Sequence, residues 1–220
     1  MFNARAKSTD ASRYPVVPSG MIRLVHRISE RCWEWRLGIN TRGCISPERL
    51  SCKSDSVQYS PVPFRVFFHM MKHVPRDLLS GTFVDYGAGR GRAMVLAAVY
   101  YGFPRVVGVE ISPELCRDSM NNLEHVRARR AEISCADAAT YDPPADASLF
   151  FFFNPFYGDT MKGVIHNIRK SFLKSPRRFA IAVCNPRNFR EAALGEDWLI
   201  ETASGEMLPS VRWAIFTSLI

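Results

Sequence analysis

A chain of 220 residues, 47% hydrophobic and 23% charged, has the balance of an ordinary globular protein and enough apolar surface for one large core. No stretch reaches the roughly 18 unbroken apolar residues needed to cross a bilayer, and the polar start Met1–Asp10 lacks a secretory signal's apolar run. No membrane insertion and a cytoplasmic location are therefore expected.

The net charge of +8 is unevenly placed. Residues 1–80 hold 13 Lys and Arg against 6 Asp and Glu, whereas residues 81–220 hold 16 against 15. A basic N-terminal third points to an anionic partner such as RNA, an anionic lipid surface or a phosphorylated metabolite. Its charges are scattered rather than blocked, which also fits a solvated face with no dedicated partner. The cysteines at 32, 44, 52, 116, 135 and 184 form no C-x-x-C pair and find no histidine at zinc-site spacing. They are expected to be buried or half-buried free thiols, and no metal is assigned.

Residues 1–20 read as a loose tail. From Met21 to about Trp35 the apolar positions Ile22, Val25, Ile28 and Trp33 recur at near-helical spacing and predict an amphipathic helix. Leu37 to Pro61 is broken by Gly38, Gly43, Pro47 and Pro61 and reads as irregular. Phe64 to Val74 predicts a second helix.

Regular alternation starts at Thr82. Thr82–Tyr86 is a predicted strand and Arg92–Tyr101 a helix. Arg105–Glu110 is the next strand, followed by a helix over Pro113–Arg127 with Ser112 as its cap and Pro113 in its first turn. Strands at Ala131–Cys135 and Ser148–Phe153, a helix at Asp159–Leu173, and strands at Phe179–Cys184 and Val211–Leu219 complete the series. Gly195-Glu-Asp-Trp198 reads as a turn before a strand. Apolar strands alternating with helices predict an α/β fold, with a mostly parallel sheet covered on both faces.

Phe83-Val84-Asp85-Tyr86-Gly87-Ala88-Gly89-Arg90-Gly91-Arg92 stands where the first strand hands over to the first helix of this series. Glycines there let the backbone turn tightly and approach a ligand. Alone, such a loop serves a dinucleotide, a flavin or S-adenosyl-L-methionine equally well. In G-x-G-x-x-G the third glycine packs the helix closely beneath a pyrophosphate, and here Arg92 fills that place. Asp85, two residues before the first glycine, is poorly placed beside a pyrophosphate but suits a ligand carrying an amino group and a sulfonium. Glu110 closes the second strand, where an acid can accept both ribose hydroxyls of any adenosine cofactor. Asp137 would cap the turn after the third strand and could accept the exocyclic amine of adenine. Asn154-Pro155-Phe156 ends the fourth strand. All four segments lie at the carboxyl ends of strands, where open α/β sheets bind ligands.

From about residue 58 onward the chain resembles class I S-adenosylmethionine-dependent methyltransferases. Asp85-x-Gly87-x-Gly89-x-Gly91 is similar to their first motif, Val109-Glu110-Ile111-Ser112 to their acidic second-strand motif, and Ala136-Asp137-Ala138 to their adenine-side motif. More narrowly, Gly38-Ile-Asn-Thr-Arg-Gly43, Tyr59-Ser-Pro61, the glycine loop and Phe153-Asn154-Pro155-Phe156 resemble a poorly characterised bacterial group with an F-N-P-F motif. Ala88, Arg90 and Tyr86 depart from that group's usual Ser, Lys and Leu without removing a glycine or an acid.

The resemblance implies a Rossmann-like domain over 61–220, preceded by a tail and helical or irregular extension over 1–60. It also implies S-adenosyl-L-methionine as cofactor. The implied cofactor residues are Asp85, Gly87, Ala88, Gly89, Gly91, Glu110, Ile111, Asp137, Ala138 and Asn154, with Tyr59 as a lid contact. Asn154, Pro155 and Phe156 are the implied catalytic set. In related amino-group methyltransferases the Asn side chain and a proline carbonyl accept hydrogen bonds from the target nitrogen while an aromatic ring stacks on it. Each residue also has a plainer reading: Asp85 as a brace for the loop, Glu110 as a helix-cap acid, Asp137 as a turn residue, Asn154 as a polar strand end. The acceptor is left open among a protein amine, RNA and a small molecule. An NAD-dependent oxidoreductase and a non-catalytic adenosylmethionine-binding subunit are the competing functions.

Overall fold

The computed structural model describes residues 19–50, 55–207 and 211–219; the tail read over 1–20 therefore lies almost wholly outside the described residues, as does Cys52. Seven strands form one sheet in the order β3-β2-β1-β4-β5-β7-β6. They are β1 (Thr82–Tyr86), β2 (Arg105–Glu110), β3 (Ala131–Cys135), β4 (Ala147–Phe153), β5 (Ala180–Cys184), β6 (Leu199–Glu206) and β7 (Arg212–Ser218). The first five run parallel, whereas β7 lies antiparallel to both β5 and β6. After β3 the chain crosses back to the other side of β1, so β1 has β2 on one flank and β4 on the other. That reversal opens a crevice at the carboxyl ends of β1 and β4.

Successive side chains of a strand point to opposite faces, and the core divides accordingly. Phe83, Leu149, Phe151, Ala182 and Ile215 pack beneath α2 (Phe64–Met71) and α3 (Arg92–Tyr100). Val84, Phe150, Phe152, Val183 and Phe216 pack against α5 (Gly158–Lys174). Because both faces are covered, β4 is buried along nearly its whole length, which explains the unbroken run Leu149–Phe153. Each fully buried Phe there contributes roughly 1.5–3 kcal/mol relative to an exposed one. α4 (Pro113–His125) starts as expected, with the Ser112 hydroxyl accepting from the Leu115 amide and Pro113 in the first turn.

The departures have local causes. The helix expected over Phe64–Val74 stops at Met71, because the Pro75 that follows disfavours helical backbone before it; a short 3₁₀ turn, Arg76–Ser80, bridges to β1. β6 begins directly after Gly195–Trp198, where a turn before a strand was expected, but its limits were not predicted: it is an edge strand exposed along most of its length and carries no apolar period. α6 (Arg187–Ala192) has only 6 residues, too few to show a helical pattern.

α1 (Ser19–Leu37) forms where a helix was expected, but of the expected apolar positions only Trp33 packs inward among the described side chains. Val25 and Ile28 are exposed, Ile22 lies outside the described side chains, and the buried position is Glu34. The helix docks through Glu30 and Glu34 onto a buried arginine, with Trp33 stacked on Phe64. The cysteine expectation also needs correction: Cys116 and Cys184 are buried, but Cys32, Cys44 and Cys135 are exposed, all five as free thiols.

Candidate functional site

The loop between β1 and α3 is shaped by three glycines in the left-handed region, with φ of 73° at Gly87, 57° at Gly89 and 77° at Gly91. The amides of Gly87 and Ala88 both donate to the Val109 carbonyl, stitching the loop to the end of β2. A Cβ at Gly87 would stand 2.3 Å from Pro155 and one at Gly89 2.3 Å from the Tyr59 ring, so neighbouring segments use the space the glycines leave. Gly91 instead faces Ser119 of α4, where a Cβ would meet the hydroxyl at 2.4 Å.

Two carboxylates stand beside this loop. Glu110 ends β2, buried, with Oε2 accepting from the Gly89 amide at 2.9 Å and Oε1 from the Ser112 amide at 2.9 Å. Burial raises its pKa, and the amides of Ser112, Gly89 and Ile111 pull it back down. Asp85 is buried and accepts no side-chain hydrogen bond among the described residues. Desolvation, with the charge of Glu110 adding to it, pushes its pKa up to about 8. Its carboxyl group faces a recess walled by Tyr59, Pro61, Gly87 and Phe153.

The larger cavity opens next to this recess. Gly87, Glu110, Ile111, Asp137, Ala138, Asn154, Pro155 and Phe156 all line it, as does Tyr59. Asp85, Ala88, Gly89 and Gly91 lie outside that lining: Asp85 and Ala88 wall the adjoining recess, Gly89 sits beneath Tyr59, and Gly91 is turned to α4. Asp137 accepts from the Ala139 amide at 3.0 Å, capping the turn Ala138–Thr140. Asn154 adopts φ 49°, a left-handed conformation that asparagine tolerates better than most residues. It is half-buried, and its side chain makes no hydrogen bond among the described residues.

Sequence reasoning expected Tyr59 as a lid contact but not the strap that carries it over this cavity. Residues 55–60, read as part of an irregular stretch, pair with Ile45 on one side and with Phe156 on the other. The Val57 amide donates to the Pro155 carbonyl at 3.0 Å, the Tyr157 amide to the Asp55 carbonyl, and the Thr160 amide to Asp55 Oδ2 at 3.0 Å. Tyr59 crosses the glycine loop and donates its hydroxyl to the Thr41 carbonyl at 2.6 Å. Burial raises the Tyr59 pKa above its ordinary value. Isolated bridges between irregular segments leave no periodicity to read, although Tyr59 was singled out through its motif.

The role of Arg92 was also missed. Its guanidinium donates to Thr41 Oγ1 at 2.6 Å, the Val62 carbonyl at 3.0 Å, Glu34 Oε1 at 2.9 Å and Glu30, while stacking 4.3 Å from the Phe64 ring centroid. Glu34 also accepts the amide and hydroxyl of Thr41. Asn122 holds Asn40 from the other side and ties it to the Arg90 carbonyl. The Gly38–Gly43 segment is thereby fastened onto the glycine loop. Among the described residues, no three His, Cys, Asp or Glu side chains group as a metal site.

No family model matches this chain, and no curated protein matches it. Solved structures do. An RNA methyltransferase from Salinibacter ruber, in complex with S-adenosyl-L-homocysteine, is 18% identical, with 72% of this chain and 92% of that one covered at a TM-score of 0.51. The geranyl diphosphate C-methyltransferase of Streptomyces coelicolor A3(2), also with S-adenosyl-L-homocysteine, is 15% identical over 71% of this chain and 75% of that one, at 0.56. Human methyltransferase 10 domain containing protein is 12% identical over 89% of this chain and 96% of that one, at 0.60. Identities this low establish architecture. The chain has the Rossmann-like class I fold of these methyltransferases.

Proposed function

We propose that this protein is an S-adenosyl-L-methionine-dependent methyltransferase. The observation that carries the reading is the ring of strand ends around one cavity: Gly87 after β1, Glu110 after β2, Asp137 after β3 and Asn154 after β4. Two of the solved neighbours carry S-adenosyl-L-homocysteine on the same fold.

The residues fit the cofactor chemically. Asp85 is a buried acid whose ionisation needs a neighbouring cation, which the amino group of a bound amino acid supplies. Glu110 is positioned for a ribose diol, and Asp137 with Ala138 for the adenine edge. Tyr59 covers the loop, with the segment before residue 61 serving as the roof and 61–220 as the cofactor-binding body. A bound sulfonium supplies an electrophilic methyl group and a good leaving group. The protein then has to align an acceptor lone pair and exclude water, and orientation of this kind accounts for about 7–11 kcal/mol of barrier reduction in favourable cases. Asn154, with its side chain free to accept a hydrogen bond, is the residue assigned to the acceptor, and Phe156 supports the wall beside it. The Pro155 carbonyl already accepts from Val57, so it can serve an acceptor only through its second lone pair or after the strap shifts.

The neighbours' named acceptors, an RNA and a carbon of geranyl diphosphate, differ in kind, so the shared fold does not choose one for this chain. The test is incubation of cell lysate with radiolabelled methyl donor, followed by fractionation into protein, nucleic acid and small molecules. Wild type is expected to label one fraction. Asn154→Ala is expected to bind adenosylhomocysteine yet label nothing; labelling at the wild-type level would remove Asn154 from the reaction. Biological function that survives in Asn154→Ala alongside intact cofactor binding would favour the non-catalytic subunit.

A further inference from the structure

A second concave surface lies outside the cofactor cavity. α1, the loop at 42–44 and the strap end at 60–61 form a groove whose walls include Leu24, Arg27, Ile28, Arg31, Arg42 and Pro61. Arg92, paired to Glu30 and Glu34, closes its floor. Ser60, Pro61 and Arg92 also line the recess that holds Asp85, so only the width of the strap separates the groove from the ligand loop.

The groove's carboxylates and arginines are unevenly matched. Glu30 and Glu34 are consumed by Arg92, and Glu34 also takes Arg42 at 2.6 Å. Arg27 and Arg31, one helical turn apart and both exposed, form no ion pair among the described residues. Of the apolar residues of α1 that failed to enter the core, Leu24 and Ile28 line this groove. Leu24 is 56% exposed, Ile28 53% and Trp35 86%, at spacings of four and seven residues that keep them on one helix face with Arg31. From Leu24 to Trp35 this face runs about 16 Å.

We propose that this groove and the outer face of α1 bind single-stranded nucleic acid, with the acceptor base delivered over the strap to the cofactor cavity. Unpaired arginines track a phosphate backbone, and an exposed indole with neighbouring aliphatic side chains gives bases a surface to stack on. A bilayer is the poorer match, because the arginines line a concavity that a flat surface does not enter. The delivery step rests on the methyltransferase reading; binding does not.

The test is fluorescence anisotropy of the full chain with a short, unstructured RNA oligonucleotide, titrated between about 50 and 200 mM salt. Wild type is expected to bind, with affinity falling steeply as salt rises. Arg27→Glu/Arg31→Glu is expected to bind at least tenfold more weakly, and loss of two phosphate contacts should flatten the log–log salt slope by about 1.4. Trp35→Ala should lose roughly fivefold or more without changing that slope. All three proteins should bind adenosylhomocysteine alike. The proposal is overturned if wild type fails to bind RNA at the lowest salt, if the arginine variant binds as wild type does, or if anionic lipid vesicles bind where RNA does not. RNA binding as described without adenosylhomocysteine binding would keep the groove and discard the cofactor reading.

Discussion

Arg92 and Glu34 form an ion pair of 2.9 Å with both side chains only 3% exposed, joining the first turn of α3 to the far end of α1. Buried pairs of this kind add little net stability compared with well-packed apolar residues, but removing one partner strands the other charge in a poor dielectric. Arg92→Ala is therefore expected to cost about 3–5 kcal/mol in urea unfolding. Arg92→Lys should recover little, since an ammonium cannot serve Thr41, Val62, Glu30 and Glu34 with the same planar fork. Arg92→Ala/Glu34→Ala should lose clearly less than the sum of the single losses; strict additivity would show that the two side chains are not coupled.

Asp85 gives the protein a pH signature. Its folded pKa of about 8 lies above the ordinary aspartate value of 3.8, so the fold prefers the protonated form. Its contribution to stability is complete below pH ~4 and is lost as pH rises through about 8. Asp85→Asn should remove that decline and make the ligand-free protein more stable than wild type above pH 8, read as the melting temperature across pH. A cationic ligand group beside Asp85 would draw off its proton. Adenosylhomocysteine affinity should accordingly increase from pH 6 toward 8, with proton release seen by calorimetry in buffers of different ionisation enthalpy. A flat profile in wild type would remove Asp85 from the ligand's surroundings.

Gly89 faces two constraints at once. At φ 57° any other residue meets left-handed strain of about 1–2 kcal/mol, and a Cβ would sit 2.3 Å from the Tyr59 ring. Gly89→Ala is expected to lift the strap and weaken adenosylhomocysteine binding. Adding Tyr59→Ala removes the clash but not the strain, so the double variant should recover local protection of residues 55–60 no further than Tyr59→Ala alone. Equal binding by wild type and Gly89→Ala would contradict the close packing of strap on loop.

Replacing Val57 by proline deletes one specific donor, the amide that holds the Pro155 carbonyl at 3.0 Å. A hydrogen bond of this type is worth about 0.5–1.5 kcal/mol. Dissociation of adenosylhomocysteine should therefore quicken about two- to tenfold in stopped-flow displacement. An unchanged rate would mean that the strap does not hold the ligand in.

Much of this architecture was readable in the residues. β1, β2 and β3 match their expected limits, each followed within two residues by a turn-forming or capping residue: Gly87, Ser112 and Asp137. Glu110, Asp137 and Asn154 were legible as a group because parallel strands bring their carboxyl ends to one edge. The strap's pairing was not, since Asp55 to Ser60 reaches its partners largely through backbone hydrogen bonds, which leave no side-chain pattern, beside those of the Asp55 carboxylate and the Tyr59 hydroxyl. α1 misled for a different reason: Val25 and Ile28 look like core residues, yet the helix docks by charge on Arg92, a pairing across more than fifty positions that no local pattern announces. Arg92 itself was noticed only for the glycine it displaces.

The central claim is tested most directly by calorimetric titration of the purified protein with adenosylhomocysteine and, separately, with NAD. Micromolar binding of adenosylhomocysteine, lost in Glu110→Ala variants that remain folded, with no heat from NAD, is the predicted result. Micromolar NAD affinity with no adenosylhomocysteine binding would contradict it.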